Sequence, residues 1–186
     1  MGTARIDLLR EVTLVDLPGV YSLEPRSEDE QVTHDVLAGK MADLPKPDAI
    51  LLILDATSLA RHLMLAAPVL SLEIPTLVIL NMADDLERRG GSVDTTLLAA
   101  QLGAPVVLVS AVHGTGLDAV RSMLAKLIPK PVRVELPILN NMPNCRTWSG
   151  KVVANSGYSK PAPPEWTYRL DRLFLHPLWE IGRAHV

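Results

Sequence analysis

Residues 76–85 read TLVILNMADD, an apolar run that stops at a cluster of polar side chains. Leu77, Val78, Ile79 and Leu80 carry no polar group, the pattern of a strand buried on both faces of a parallel sheet. In such sheets ligands sit beyond the carboxyl ends of the strands, which places Asn81 and Asp84 at the crevice. Asparagine brings a donor and an acceptor, and an ionised carboxylate accepts two parallel bonds from a flat pair of N–H groups. That chemistry suits the edge of a guanine. Taken alone, the same residues are also common turn formers.

On either side of this run, strand and helix patterns alternate. Residues 49–54 form a second apolar strand ending in Asp55, and residues 59–72 have helical spacing, with Pro68 predicting a kink or a late start. Downstream, residues 87–91 read as a charged, glycine-ended loop and residues 94–102 as a short helix stopped by Gly103. A strand over 105–109 leads into Ser110-Ala111-Val112-His113-Gly114-Thr115-Gly116, and residues 117–128 return to helical spacing. Upstream, residues 5–9 and 11–15 read as a hairpin whose second strand enters the sheet and ends in Asp16-Leu17-Pro18-Gly19. Ser27 with Glu30 three residues on predicts a capped helix over 28–41, closed off by Pro45 and Pro47. Four alternations of strand and helix argue an α/β fold, a parallel sheet with helices on both faces.

The composition is that of a globular chain: 186 residues, 48% hydrophobic and 21% charged. A net charge of −3 argues against a nucleic-acid partner or a basic membrane-surface patch. Cys145 stands alone, so neither an internal disulfide nor a cysteine-rich metal site is expected, and it reads as an inert thiol. His34, His62, His113, His176 and His185 have no zinc-like spacing. No apolar run reaches the length needed to cross a bilayer, and the chain as given reads as soluble.

Three polar strand ends thus share one sheet edge: Asp16-Leu17-Pro18-Gly19, Asn81-Met82-Ala83-Asp84 and Ser110-Ala111. In this order and spacing they resemble the guanine-nucleotide motifs of the translation-factor-like GTPases. The resemblance implies GTP or GDP as ligand with Mg²⁺ as cofactor. It places Mg²⁺ on Asp16 through water, γ-phosphate sensing on the Gly19 amide, and the bracing of neighbouring loops on Asn81. Asp84 would take the guanine N1 and N2 hydrogens, and the Ala111 amide would back the base. Residues 12–23 and 27–30, with Asp55-Ala56-Thr57, Ile74-Pro75 and Asn81-Met82, are similar to the bacterial ferrous-iron transport protein B family over residues 2–128. There methionine replaces the lysine usual after the asparagine. Residues 166–171 and 175–179 are similar to the segment that precedes the first membrane helix in that family. The family implies GTP binding and slow hydrolysis coupled to Fe²⁺ passage through a membrane domain, on the cytoplasmic face of the bacterial inner membrane. The loop 20–26 would be ordered by the γ-phosphate and released on hydrolysis.

The sequence also departs from that pattern. No G-x-x-x-x-G-K-[ST] phosphate loop occurs. The expected fold is therefore a P-loop-GTPase-like sheet lacking its first strand, phosphate loop and first helix, and the polypeptide is expected to be inactive as a GTPase. The expected organisation is a partial G domain over 1–129, a Pro-rich linker over 130–165, a juxtamembrane segment over 166–179 and a non-native tail over 180–186, whose residues match one frame of a sequencing adapter. Within the linker, residues 146–153 have the look of a single helix. Two other readings stay open: a non-catalytic nucleotide- or protein-binding module, and a fragment of a soluble ribosome-assembly-type GTPase.

Overall fold

The computed structural model describes residues 2–5, 11–18, 28–41, 44–126, 128–139 and 141–163. Gly19, the loop 20–26, Ser27, the juxtamembrane segment 166–179 and the tail 180–186 lie outside the described residues.

A three-stranded parallel sheet organises the molecule, with β3 (Ile50–Asp55), β4 (Thr76–Asn81) and β5 (Val106–Leu108) in the order β3-β4-β5. Every residue of β4 from Thr76 to Leu80 is buried, as an unbroken apolar run at the centre of a sheet requires. The reason is the helices on either face. On one side Leu52, Leu54, Val78 and Leu80 pack with Leu59, Leu63, Ala66, Val69 and Leu70 of α2 (Leu59–Leu70) and Leu98 and Leu102 of α4 (Thr95–Leu102). On the other, Leu77, Ile79, Val107 and Val109 meet Val120 of α5 (Leu117–Ala125). Each fully buried leucine contributes about 1.5–3 kcal/mol. The α/β architecture with helices on both faces is therefore as expected.

Several details differ from the sequence expectation. The hairpin is present, but β1 spans Gly2–Arg5 rather than 5–9 and pairs antiparallel with β2 (Glu11–Leu14), Gly2 opposite Leu14. Nor does β2 enter the parallel sheet: the hairpin is a two-stranded sheet of its own. Backbone pairing needs a partner on the free edge, and among the described residues β2 has only β1 and β3 only β4. Ile53 of the apolar strand β3 is 61% exposed: among the described residues the cluster on its face centres on Leu77, Ile79, Val107, Val109 and Val120 and takes in Leu51 of β3 but not Ile53.

The helix α1 (Glu28–Leu37) ends four residues early, because Gly39 at φ 70° closes it through a bond from its N–H to the Val36 carbonyl. Pro68 causes no late start: α2 begins at Leu59, directly after a 3-10 turn over Ala56–Ser58, and carries the proline in its last turn. Part of the expected loop 87–91 belongs to a helix, α3 (Ala83–Arg88).

The expected linker contains a packed helix, α6 (Met142–Asn155), which contacts α2 and α4. Asn141 caps it by accepting from the Asn144 N–H at 3.1 Å, and Pro143 sits in its first turn, where a missing N–H costs nothing. Val152 joins the core, Trp148 donates to the Glu135 carbonyl at 2.9 Å, and Cys145 is buried with its Sγ 3.6 Å from the Ile138 and Leu139 carbonyls. Among the described residues no helix is long and apolar enough to cross a membrane.

Candidate functional site

The carboxyl ends of β4 and β5 run in register, Leu80 beside Leu108, so the chain leaving each strand emerges at the same edge. Asn81 ends β4, and its Oδ1 accepts the Ala111 N–H at 3.1 Å. Met82 then takes a left-handed conformation, φ 71°, at a cost of about 1–2 kcal/mol for a residue with a Cβ. This turns the chain from strand into α3, anchored by a bond of 3.1 Å from the Ala83 N–H to the Val109 carbonyl. Asp84 falls in the first helical turn and reaches across to the second strand end: its Oδ1 accepts the Ser110 hydroxyl at 2.7 Å.

Ser110 is fully enclosed, and a hydroxyl buried there must find a partner. It donates to Asp84 and accepts, at 3.4 Å, the N–H of His113. The loop folds back on itself through the Ser110 N–H, which donates to the Thr115 carbonyl at 3.0 Å. Gly116 closes it at φ 81°, where a Cβ would lie 2.3 Å from the Leu108 carbonyl oxygen, so only glycine fits.

The Ser110 hydroxyl, outweighing partial desolvation, holds the Asp84 carboxyl below its ordinary range, with the Asp84 and Asp85 amides and His113 adding to the effect. Asp84 is therefore a carboxylate at neutral pH, and its second oxygen lies 3.8 Å from His113 Nε2. Its neighbour Asp85 is occupied elsewhere, paired with Arg88 and, at 2.8 Å, with Arg89.

Asp55, at the end of β3 and opposite Asn81, serves locally. Its Oδ1 accepts both the N–H and the hydroxyl of Thr57 at 2.7 Å, capping the 3-10 turn. Tyr158, beyond α6, donates to the Thr57 carbonyl at 3.2 Å, and burial pushes its hydroxyl pKa up.

Of the residues singled out in the sequence, Asn81, Asp84, Ser110 and Ala111 come together, with Met82 exposed beside them. Asp16 lies just past β2 and is exposed, while Leu17 and Pro18 are half-buried. Among the described residues, no hydrogen bond or ion pair joins these three to the cluster. Sequence reasoning passed over His113: an isolated histidine without metal spacing carries no local signal, and only the fold of the 110–116 loop brings it to Asp84.

The model of the ferrous iron transport protein B family matches residues 2–124. The Fe(2+) transporter FeoB of Synechocystis sp. is 32% identical over 146 residues, covering 74% of this chain and 23% of that protein. FeoB of Salmonella typhimurium is 39% identical over 116 residues, 60% of this chain and 14% of the relative. The chain thus spans less than a quarter of these curated relatives. The cytosolic domain of L. pneumophila FeoB superposes with a TM-score of 0.62 at 35% identity, over 74% of this chain and 53% of that one. An S. thermophilus NFeoB E67A mutant bound to GDP superposes with a TM-score of 0.56 at 27% identity, over 89% and 70%. With the family model covering well over half of its residues, the chain belongs to the ferrous iron transport protein B family.

Proposed function

We propose that this chain carries the base-reading half of a guanine-nucleotide site within a ferrous-iron transporter's G domain. The observation that carries the reading is the Asp84 carboxylate, held ionised by Ser110 at the mouth of the sheet, with Asn81 tying the strand end to the 110–111 loop. Guanine offers N1–H and N2–H side by side, so one carboxylate accepts both. Adenine has no such pair and would leave Asp84 partly unsatisfied. The Ala111 N–H is already given to Asn81, so in this reading the loop acts on the base mainly by shape.

The phosphates are a different matter. The chain holds no phosphate loop, and among the described residues no group of three or more histidine, cysteine or acidic side chains is placed to hold a metal. In this reading Asp16 is the Mg²⁺ residue, through water and only in company with a nucleotide's phosphates. The 186-residue polypeptide therefore does not hydrolyse GTP at a measurable rate. In the longer protein, nucleotide binding here would couple to Fe²⁺ passage through a membrane domain, with this region on the cytoplasmic face of the inner membrane.

The test is a titration of the isotope-labelled chain with guanosine and with adenosine, following the Ala111 amide by NMR. Guanosine is expected to bind with a Kd on the order of millimolar, adenosine at least about tenfold more weakly, and Asp84→Asn is expected to erase the difference. Equal shifts with the two nucleosides would overturn the base-reading assignment.

A further inference from the structure

We infer that His113 is a proton-sensitive competitor for the base-reading carboxylate, holding Asp84 when guanine is absent and yielding it when guanine binds. The inference rests on the guanine reading above and adds a regulation of that site. The 110–116 loop places His113 twice over. Its N–H bonds to the same Ser110 hydroxyl that bonds Asp84, and its Nε2 stands 3.8 Å from the Asp84 Oδ2. When guanine's two N–H groups pair with the two carboxylate oxygens, one of them must reach Oδ2, the oxygen not bonded to Ser110, and His113 faces it.

The other charges nearby do not compete for the ring. On α3, Asp85 is paired with Arg88 and Arg89, and on α5 Asp118 is paired with Arg121 at 3.0 Å. Asp84 is the carboxylate left to His113. The imidazole side chain is 63% exposed, so swinging it aside buries nothing and breaks only the contact with Asp84.

Protonation decides the strength of that contact. Neutral imidazole offers one weak donor; imidazolium offers a charge-assisted one. Asp84 stays ionised across the range where a histidine titrates, about pH 5.5 to 8, because Ser110 holds its carboxyl low. Guanine binding must then expel the imidazolium from Oδ2 and favour loss of its proton. By linkage, guanosine affinity falls as the imidazole gains its proton, and bound guanosine disfavours that protonation in return. Exposed pairs of this kind are weak, so the expected change is about 2- to 5-fold in Kd between pH 8 and pH 5.5.

The experiment is the guanosine titration repeated at pH 5.5, 6.5 and 8 on the chain and on His113→Gln, with the His113 ring proton followed through its own titration. The expected result is a Kd that rises 2- to 5-fold in acid for the parent chain, a flat profile for His113→Gln, and a smaller protonated fraction of the His113 ring at saturating guanosine. A flat profile in the parent, or the same slope in His113→Gln, overturns the competition while leaving the guanine reading intact. Failure of guanosine to bind at any of the three pH values removes the reading and this inference together.

Discussion

The two ends that the sequence paired, the one at Asp84 and the one at Asp16, are built differently. Around Asp84 two strands of one sheet, a helix and a loop converge, and each polar side chain has a partner: Asn81 with Ala111, Asp84 with Ser110, Ser110 with His113. Beneath them Leu77, Val78 and Leu80 are completely buried. Around Asp16 there is a two-stranded hairpin, with Leu14 and Val15 both exposed and no described strand beside it. A two-stranded hairpin by itself is marginal in water, whereas strands packed between helices are not. Similar motif quality in the sequence therefore corresponds to unequal physical support: the proposed base-reading edge rests on packed strands, and the proposed phosphate-facing edge has no such support among the described residues.

The largest effect separating the two regions should come from apolar truncation. Leu80→Ala removes a fully buried side chain from the central strand and leaves a cavity next to the site, with an expected loss of about 2–5 kcal/mol. Leu14→Ala, on a residue 42% exposed in the hairpin, should fall within about 0.5 kcal/mol of the parent. Urea unfolding followed by circular dichroism measures both. Equal losses would mean that the hairpin is integrated with the core, and the contrast between the two ends would collapse.

The same contrast explains what could be read from the sequence. Residues 76–81 were legible because burial on both faces leaves no alternation, and a run such as Leu77-Val78-Ile79-Leu80 has few other uses. Gly103 after the fourth helix was legible because a glycine stop is local chemistry, and it sits at φ 64°; Asp94, read as the first helical residue, is instead the cap, its Oδ1 accepting from the Thr96 and Leu97 N–H groups. The hairpin's failure to join the sheet was not legible, since strand pairing depends on a neighbour that no local pattern reports. The helix α6 was legible only in part: residues 146–153 have a helical look, but the prolines around them suggested a linker, and the full span Met142–Asn155 did not show. Its packing of Val152 and Trp148 comes from tertiary contacts rather than helical periodicity. Within the site, residue types announced Asn81 and Asp84. That Ser110 bonds Asp84 across 26 residues, and that His113 follows it there, required the fold.

A smaller effect should come from Ser110→Ala, which tests whether the cluster is held by its hydroxyl. The Asp84 pKa is depressed in the folded chain, first by that hydroxyl, so the stabilisation it provides is present above the unfolded value of about 3.9 and is lost as the pH falls through the lower folded value. Removing the hydroxyl should raise the Asp84 pKa toward its ordinary value. The stability difference between parent and variant should then be constant from pH 7 to about 5 and shrink below about 4. Urea midpoints at pH 7, 5, 4 and 3 give the profile. A difference that does not change across this range would mean that Ser110 matters only for packing.

Asp16→Asn should do least. Asp16 is exposed, and among the described residues it has no bond to Asn81, Asp84, Ser110 or Ala111, so neutralising it removes nothing that a base without phosphates would touch. Guanosine affinity is expected to stay within about twofold of the parent, since a solvent-exposed charge with no bond to the cluster is largely screened by salt. Under the same conditions Asp84→Asn should abolish discrimination between guanosine and adenosine. If Asp16→Asn instead weakened guanosine binding as much as Asp84→Asn does, the hairpin end would have to close over the base itself, and the two ends would be parts of one preassembled pocket rather than a firm half and a dependent one.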